Sequence, residues 1–275
     1  MDSVRIPVAP NLWGEEGRIG VLDHGKGYVK LIAFDFPEAH IANVARVSTR
    51  RPCVSEIDSP TARLLSRLHQ NRHTSPFEHV HVTLVARAPL FVLREWVRHR
   101  TAHYNEESAR YAELEREFYI PDHWRMQDTR NKQSSFVVDS TRLSWDAWSA
   151  LYVDSCNKAF DVYEALLKAG VAREMARMCL PLSTYSTIVW KTALHNLMHF
   201  LELRTDDDAQ WEIRQYALAI ERMVEQNMPQ TFEVYHRTKW LATKGPNILE
   251  SVRQPGEDFL STLKRLVAYY KGSTT

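Results

Sequence analysis

The sequence predicts a mixed fold of strands and helices, with the helices concentrated in the second half of the chain. Apolar and polar side chains alternate most clearly over residues 78–88, EHVHVTLVARA, which is typical of a half-buried strand. After Ser144 apolar residues recur at helical spacing in several long segments. The length of 275 residues allows one large domain or two small ones.

The composition excludes several classes of protein. Hydrophobic residues make up 44% and charged residues 25% of the chain, which is typical of a globular protein and excludes disordered, collagen-like and disulfide-scaffold classes. The formal net charge of +1 gives no overall attraction to nucleic acid or to an anionic membrane. A site for an anion must therefore be a local cluster of basic residues.

Cellular context is read from the cysteines and from the lack of targeting signals. Cys53, Cys156 and Cys179 are odd in number and lack CxxC spacing, so we expect reduced, buried thiols rather than disulfides or a zinc site. The chain has no apolar run of the roughly 18 to 20 residues that a membrane span needs, and its N-terminus lacks the pattern of a signal peptide. We expect a cytoplasmic protein.

The first half of the chain is predicted to mix strands with short helices. Glycine and proline are frequent in residues 1–28, which indicates an irregular or hairpin-like arm. Pro89 suits the first turn of a helix whose Phe91, Leu93, Trp96 and Val97 are available for packing. The predicted elements in order are a strand over 29–34, helices over 37–48 and 59–71, a strand over 78–88 and a helix over 89–100.

The second half is predicted to be mostly helical. Residues 101–124 have no steady period and are interpreted as a functional loop with short strand or helix pieces. Glycine, proline and acidic breaks then separate the helical patterns. The predicted helices are 145–169, 171–180, 187–204, 209–228 and an amphipathic helix after Pro246.

The densest group of chemically versatile side chains begins with Arg94. Arg94 and Arg98 are four residues apart and are predicted to share a helix face, while Arg100 and Arg110 flank a loop that carries carboxylates and a serine. Several guanidinium groups at a helix end suit a phosphate-bearing ligand, because arginine binds phosphate oxygens in pairs and stays charged. A surface helix with salt-bridged arginines explains the residues equally well.

Further candidates lie on later helices. Arg177 and Arg204 each stand near the end of an apolar helix, where a charge must reach solvent, a carboxylate or a ligand. His195 and His199 have a spacing that can bind metal, but the chain has no HExxH glutamate and no evident third ligand. We favour hydrogen bonding to a polar ring system or a satisfied core role for these two histidines.

Other motifs are interpreted as structural or are missing. His79 and His81 are expected on one half-buried polar face of the strand, and Cys179 is expected to pack in the core rather than to act as a nucleophile. The sequence contains no GxGxxG, GxxxxGK[ST] or GxSxG motif. The usual Rossmann and P-loop modes of nucleotide binding are therefore not indicated.

One combination of motifs resembles a known family. Arg98, His99 and Arg100 are followed seven residues later by Ser108, and the longer pattern RHRxxxxNExSxRY is met through Tyr111. These residues resemble the signature of the flavin-dependent thymidylate synthases. Three further segments are similar to motifs of that family in the expected order: HTSPFEH at 73–79, ARMCLPLS at 176–183, and HNLMHFLELR followed by AQWEIRQYA at 195–217.

The resemblance implies a fold, an assembly and a reaction. It covers residues 29–235 as a catalytic domain and leaves an arm at 1–28 and an extension with a helix at 236–275. It implies an α+β subunit with a twisted, mostly antiparallel sheet packed among helices, and a homotetramer with active sites at subunit interfaces. The implied reaction converts dUMP to dTMP with 5,10-methylenetetrahydrofolate as carbon donor, FAD as hydride carrier and NADPH as reductant, without a cysteine nucleophile.

The resemblance also implies roles for individual residues. Arg204 and Ser108 are the implied catalytic residues: Arg204 is implied to favour ionisation at uracil N3, and Ser108 to meet the phosphate together with Arg110. The implied FAD contacts are His73, Ser75, Arg98, His99, Arg100, Glu106, His195 and His199. The implied dUMP contacts are Glu95, Arg98, Glu106, Glu107, Ser108, Ala109, Arg110, Arg177 and Arg204.

The chain departs from the family pattern at several positions. Glu95 stands where many members have glutamine, His103 replaces a common serine and Ala109 a common glycine. Asp208 occupies a position often held by histidine near the flavin, and Ala193 one held in some members by asparagine. These changes leave open an alternative, a catalytically impaired flavin- or nucleotide-binding module on the same scaffold. An RNA-binding role for the arginine cluster is disfavoured by the balanced charge.

Overall fold

A computed structural model describes residues 11–137 and 144–243 of the chain. Its main sheet has five strands in the order β1-β2-β3-β7-β4, and every neighbouring pair is antiparallel. A separate antiparallel hairpin is formed by β5 and β6. The strands are β1 (Arg18–Leu22), β2 (Gly27–Phe34), β3 (His81–Pro89), β4 (His103–Glu106), β5 (Arg125–Gln127), β6 (Ser135–Val137) and β7 (Tyr185–Ala193).

Helices pack against this sheet and dominate the described part of the second half. The helices are α1 (Ala39–Val47), α2 (Ser59–Gln70), α3 (Ser75–Glu78), α4 (Leu90–Trp96), α5 (Trp145–Lys168), α6 (Arg173–Ala176), α7 (Leu194–Arg204), α8 (Trp211–Asn227) and α9 (Pro229–Thr243). Of these, α4, α7 and α8 pack against the main sheet. The predicted α+β class with a mostly antiparallel sheet is confirmed. Within the described ranges, none of these helices combines the length and apolar composition that a bilayer crossing demands.

Four aromatic side chains join the sheet to three helices. The Trp96 ring lies 5.4 Å from Trp190 of β7, 5.2 Å from Phe200 of α7 and 5.8 Å from Tyr216 of α8, measured between ring centroids. All four residues are essentially inaccessible to solvent. Burying such large rings provides much of the packing energy of a core, so the end of α4 is held firmly between the sheet and the helical layer.

A second, smaller core lies under α5. Cys156, Phe160 and Tyr163 of α5 pack against Phe118 and Ala176. This helix begins at Trp145 and is followed by Gly170 at a positive φ of 80°, as the sequence pattern predicted. The arrangement holds α6 and the residues around Phe118 together.

The predicted helix over 187–204 is wrong in its first half. Residues 185–193 form β7, a central strand paired with β3 on one side and β4 on the other. Residues 185–188 of β7 are all buried, on both faces of the strand, so its first half lacks the alternation that would have revealed it. Helix α7 begins only at Leu194.

The helix predicted over 89–100 is shorter than expected. Pro89 precedes α4 as its N-cap residue, and the helix ends at Trp96, so Arg94 and Arg98 do not share one helix. Val97 is 39% exposed rather than packed. The segment predicted as one helix over 171–180 is divided into α6 and a 3₁₀ turn over Arg177–Cys179.

Other predictions fail at the edges of elements. His79 ends α3 instead of lying in the strand, while His81 Nδ1 lies 3.1 Å from Asp35 Oδ2.

Cys53 is exposed and Cys179 is half-buried, so only Cys156 is a buried thiol, although all three are free. Pro229 starts α9, which the sequence analysis missed, because proline fits the first turn of a helix as well as it ends one.

The terminal regions stay partly predictions. Residues 18–34 form the β1–β2 hairpin. Residues 18–28 of the predicted arm therefore belong to the main sheet. The helix expected after Pro246 lies outside the described residues, and the proposed division of the chain at 28 and 235 remains a prediction.

Gly27 provides a test of the contact between β2 and α8. A Cβ at this position would overlap the Tyr216 hydroxyl, which donates a hydrogen bond to the Arg87 carbonyl at 2.7 Å. We expect Gly27→Ala to destabilise the fold by about 1–3 kcal/mol, as overpacking does, measured by thermal or urea unfolding. The same change in a Tyr216→Phe background should cost clearly less; an equal cost in both backgrounds would contradict the steric explanation.

Candidate active site

The end of α7 brings Arg204 to the turn that follows α4. Arg204 Nε donates a hydrogen bond to His99 Nε2 at 3.0 Å, although the two residues are 105 positions apart. The Arg204 side chain is about one-fifth exposed. Its guanidinium group is therefore fixed in direction while it still reaches the surface, as expected for a charge that meets a ligand.

His99 is held in its neutral form. Burial, followed by the positive charge of Arg204 and the neighbouring His199, lowers the pKa of His99 to about 4. Because Nε2 accepts the bond from Arg204, the proton of the neutral ring must lie on Nδ1. The ring packs against Phe200, with 4.8 Å between the centroids, and leaves an N–H donor for a ligand.

Tyr104 of β4 binds the backbone of the turn that carries His99. Its hydroxyl lies 2.7 Å from the His99 carbonyl and 3.2 Å from the Trp96 carbonyl, so it satisfies backbone groups left without helical partners. Burial raises the pKa of Tyr104 to about 12, which keeps the phenol protonated as a donor. The sequence analysis missed this residue, since a tyrosine inside the signature carries no signal of its own.

Glu95 contacts Arg204 from the last turn of α4. Its Oε2 lies 3.5 Å from Arg204 Nη2, and its backbone carbonyl lies at the same distance from that nitrogen. The carboxylate is well exposed, so it offsets the charge of Arg204 only in part. The structure thus places this departure from the family pattern directly beside the central arginine.

The signature loop is attached to the edge of the main sheet. Strand β4 pairs with β7, and Glu106 Oε1 accepts a hydrogen bond from Ser186 Oγ at 2.9 Å. The Glu107 N–H donates to the Thr187 carbonyl at 2.8 Å. These bonds define where the loop that carries Ser108 begins.

The loop then turns sharply at Ser108. The Ser108 carbonyl accepts bonds from the N–H groups of Tyr111 and Ala112, and Ala109 is buried. Arg110 points toward α6, with its Nε 3.3 Å from Glu174 Oε2. The loop therefore lies beside the segment that carries Arg177, whose side chain is exposed.

Most of the exposed guanidinium groups lack acidic partners. Within residues 11–137 and 144–243, no carboxylate lies within salt-bridge distance of Arg98, Arg100 or Arg177. The salt-bridged surface helix considered from the sequence therefore does not describe these arginines. Uncompensated guanidinium groups attract anions, and this supports a site for a phosphorylated ligand.

The remaining predicted contacts gather around α7. Helix α3, which carries Ser75, packs against α7, and exposed His73 precedes it. His195 and His199 lie on α7 between α3 and Arg204, along a helix of eleven residues, or ~16 Å. In the part of the chain that the structure describes, no group of three histidine, cysteine or acidic residues could hold a metal ion.

The predicted site residues thus fall into two groups. Glu95, His99 and Arg204 are in direct contact, and α7 extends this group toward His195 and Ser75. The loop from Glu106 to Arg110 and Arg177 forms the second group. Among the described contacts, none joins Ser108, Arg110 or Arg177 to Arg204 or His99.

These features define an α+β protein with an anion-attracting site at the meeting point of α4, α7 and a sheet edge. The profile described as "Thy1: Thymidylate synthase complementing protein" matches residues 30–230. A flavin-dependent thymidylate synthase of Thermus thermophilus is 46% identical over 213 residues, which cover 77% of this chain and 75% of that protein. The corresponding protein of Thermosipho africanus is 40% identical over 210 residues, covering 76% of this chain and 91% of that protein.

Solved structures of UMP/dUMP methylases have a similar fold. The UMP/dUMP methylase PolB from Streptomyces cacaoi, bound with 5-Br UMP, superposes with a TM-score of 0.69 at 33% identity, covering 77% of this chain and 94% of that chain. The chain belongs to the flavin-dependent thymidylate synthase family.

The ionisation state of His99 can be tested by NMR. We expect the His99 ring to titrate near pH 4 in the wild-type protein and at higher pH in Arg204→Met, because the variant lacks the repelling charge. Burial remains, so the pKa in the variant should stay below 6.5.

The lowered pKa of His99 also makes the stability of the fold depend on pH. Between pH 6.5 and about 4 the unfolded state binds a proton that folded His99 does not, so the free energy of unfolding should decrease as the pH falls through this range. A wild-type pKa near 6.5 would contradict both the burial of His99 and its contact with Arg204, whereas an unchanged pKa in Arg204→Met would contradict the contact alone.

Proposed function

We propose that this protein catalyses the reductive methylation of dUMP to dTMP, with 5,10-methylenetetrahydrofolate as carbon donor, FAD as hydride carrier and NADPH as reductant. The geometric observation that carries the proposal is the guanidinium group of Arg204, held by a neutral imidazole at a half-buried position. Family membership and the nucleotide named for PolB, 5-Br dUMP in a second structure, support the same substrate.

In this proposal Arg204 lies beside N3 of the uracil ring. Arginine stays protonated at any cellular pH, so it stabilises the anion that forms when N3 loses its proton. Electron density then moves to C5, the carbon that must bond to the one-carbon unit. Neutral His99 orients the guanidinium group without changing its charge. The carboxylate of Glu95 offsets part of that positive charge.

The phosphate of dUMP would bind the second group of residues. Ser108 offers a hydroxyl, and Arg110 and Arg177 offer charge on the adjoining surface. Arg98, Glu106, Glu107 and Ala109 complete the proposed nucleotide contacts. On binding, phosphate would compete with Glu174 for Arg110, an exchange of two exposed partners that costs little.

The residues around α7 fit a flavin. The uncompensated Arg98 and Arg100 suit its pyrophosphate, and the neutral imidazole of His99 presents an N–H donor to a polar ring. The group of side chains that would hold FAD comprises His73, Ser75, Arg98, His99, Arg100, Glu106, His195 and His199. Bound FAD supplies the hydride that completes the reduction of the transferred carbon.

We also propose that the site is completed in a homotetramer. Ser108, Arg110 and Arg177 lack described contacts with Arg204, and in this proposal a second subunit brings the two groups together. Exposed apolar side chains close to this loop support such an interface, because large apolar residues are seldom left in water together. They are Tyr111, Met175, Met178 and Leu182.

The reaction itself is the first test. We expect dTMP to form from dUMP only when methylenetetrahydrofolate, NADPH and FAD are all present, assayed under low oxygen with the product measured by chromatography. Protein that binds one FAD per subunit but makes no dTMP would favour the impaired binding module. Glu95, Ala109 and Asp208 would then be replaced by the residues common in the family.

The role of Arg204 is tested by substitution. Arg204→Ala should lower the turnover number for dTMP by roughly 10²–10³-fold, as loss of a preorganised charge does, while FAD stays bound because its other contacts remain. Arg222→Ala, an exposed arginine on α8, is the matched control and should leave turnover unchanged. Near-normal turnover in Arg204→Ala would exclude its assigned role.

The proposed reaction needs no cysteine. Cys53 is exposed on the surface, and Cys179 Sγ lies 3.2 Å from the Ala176 carbonyl, within the second core and away from Arg204. A variant with Cys53→Ser, Cys156→Ala and Cys179→Ala should keep its dTMP turnover within a few fold when assayed at a temperature where it is folded. Complete loss of turnover in the folded variant would point to a covalent cysteine step.

A further inference from the structure

A cavity lies outside the group of residues assigned to the candidate active site. Its volume is about 320 Å³, and it opens between the β5–β6 hairpin, α5 and the first turn of α8. Four aromatic residues form its walls: Phe91, Tyr119, Trp124 and Tyr152. It shares no lining residue with the proposed dUMP and FAD contacts.

The aromatic walls are held in place by their polar ends. The Tyr152 hydroxyl donates to the Tyr119 carbonyl at 2.8 Å, and Trp124 Nε1 donates to Ser149 Oγ at 3.0 Å. The rings of Trp124 and Tyr152 meet edge to face, with 5.5 Å between centroids. Walls fixed in this way form a preorganised slot that favours a flat aromatic ligand.

A row of three polar groups lies at one side of the slot. Glu212 is only 3% exposed and stands between Arg125 and Gln210. Arg125 Nη2 lies 2.6 Å from Glu212 Oε1, and Gln210 Nε2 lies 3.2 Å from Glu212 Oε2. The row therefore presents a donor, an acceptor and a donor in sequence.

Each member of the row can form one more hydrogen bond. Arg125 uses Nε for Ser135 and Nη2 for Glu212, and no described residue accepts from its Nη1. Among the described residues, Arg125 and Tyr119 donate to Glu212 Oε1, whereas Oε2 accepts a bond from Gln210 alone. Gln210 Nε2 keeps a second N–H.

We propose that this cavity binds a planar heterocycle with an imide edge, such as the uracil or thymine ring of a free nucleoside. An imide presents an acceptor, a donor and an acceptor, which complements the row formed by Arg125, Glu212 and Gln210. The cavity is at the small end of the usual range of about 300–1,000 Å³ for ligand sites, so it suits a nucleoside and excludes FAD. Since Arg125 is neutralised by Glu212, its charge does not select a phosphate.

The cavity is connected to the candidate active site through two elements. Phe91 lies one helical turn before Glu95 on α4, and Gln210 follows Arg204 by six residues between α7 and α8. A ligand that fixes Phe91 and Gln210 would therefore also restrict the two ends of the Glu95–Arg204 contact. This binding goes beyond the proposed function, since it requires no turnover.

Thymidine is a suitable probe because it carries the imide but lacks a phosphate. We expect calorimetry to detect thymidine binding to the full-length protein, and binding to persist in an Arg177→Ala, Arg204→Ala variant whose proposed dUMP site is disabled. 3-Methylthymidine should bind at least about tenfold more weakly, since the methyl group removes the imide donor and leaves Glu212 facing an apolar group. Absence of thymidine binding, or equal affinity for both compounds, would overturn the proposal.

Substitutions then locate the site. Gln210→Ala should weaken thymidine binding by about five- to tenfold, the effect of one hydrogen bond, and Trp124→Ala should weaken it further by removing a wall. Gln215→Ala, on α8 but outside the cavity, is the matched control and should bind normally. Thermal unfolding confirms that each variant is folded. Loss of dTMP formation with intact thymidine binding would contradict the proposed function alone.

Discussion

The burial of Trp96 among three aromatic rings is the interaction on which the rest of the site depends. Its contacts with Trp190, Phe200 and Tyr216 join α4 to β7, α7 and α8. Because Trp96 ends α4, the chain must turn at that point, and His99 is placed in the turn. Phe200 and Arg204 lie one turn apart on α7, so the packing of one aligns the other with His99.

The electrostatics of the site follow from this packing. A half-buried imidazole next to a guanidinium group cannot easily gain a proton, so His99 serves as an acceptor and leaves Arg204 as the local cation. Tyr104 stays protonated for the same reason, desolvation. Arg98, Arg100 and Arg177 lie outside this buried region and remain exposed. The site thus combines one oriented charge with a surrounding surface that attracts anions.

Comparison of particular elements shows where sequence patterns are reliable. The helix α5 was predicted almost to the residue because its apolar face recurs over 24 positions and Gly170 ends it. Strand β3 was recognised because Val82, Leu84 and Ala86 all face the core. Strand β7 was missed because its first four residues are buried on both faces, and period alone cannot tell such a strand from a buried helix.

The sequence by itself determined the family, through the signature from Arg98 to Ser108, and with it the α+β class and the residues to inspect. These features are local, since they depend on residue types at short spacing. Only the tertiary structure decided that Arg204 meets His99 and Glu95, that Tyr104 supports the turn, and that Arg110 and Arg177 stand apart from Arg204. Such contacts join positions up to 109 residues apart, and burial, which sets the charge of His99, is a property of the packed molecule.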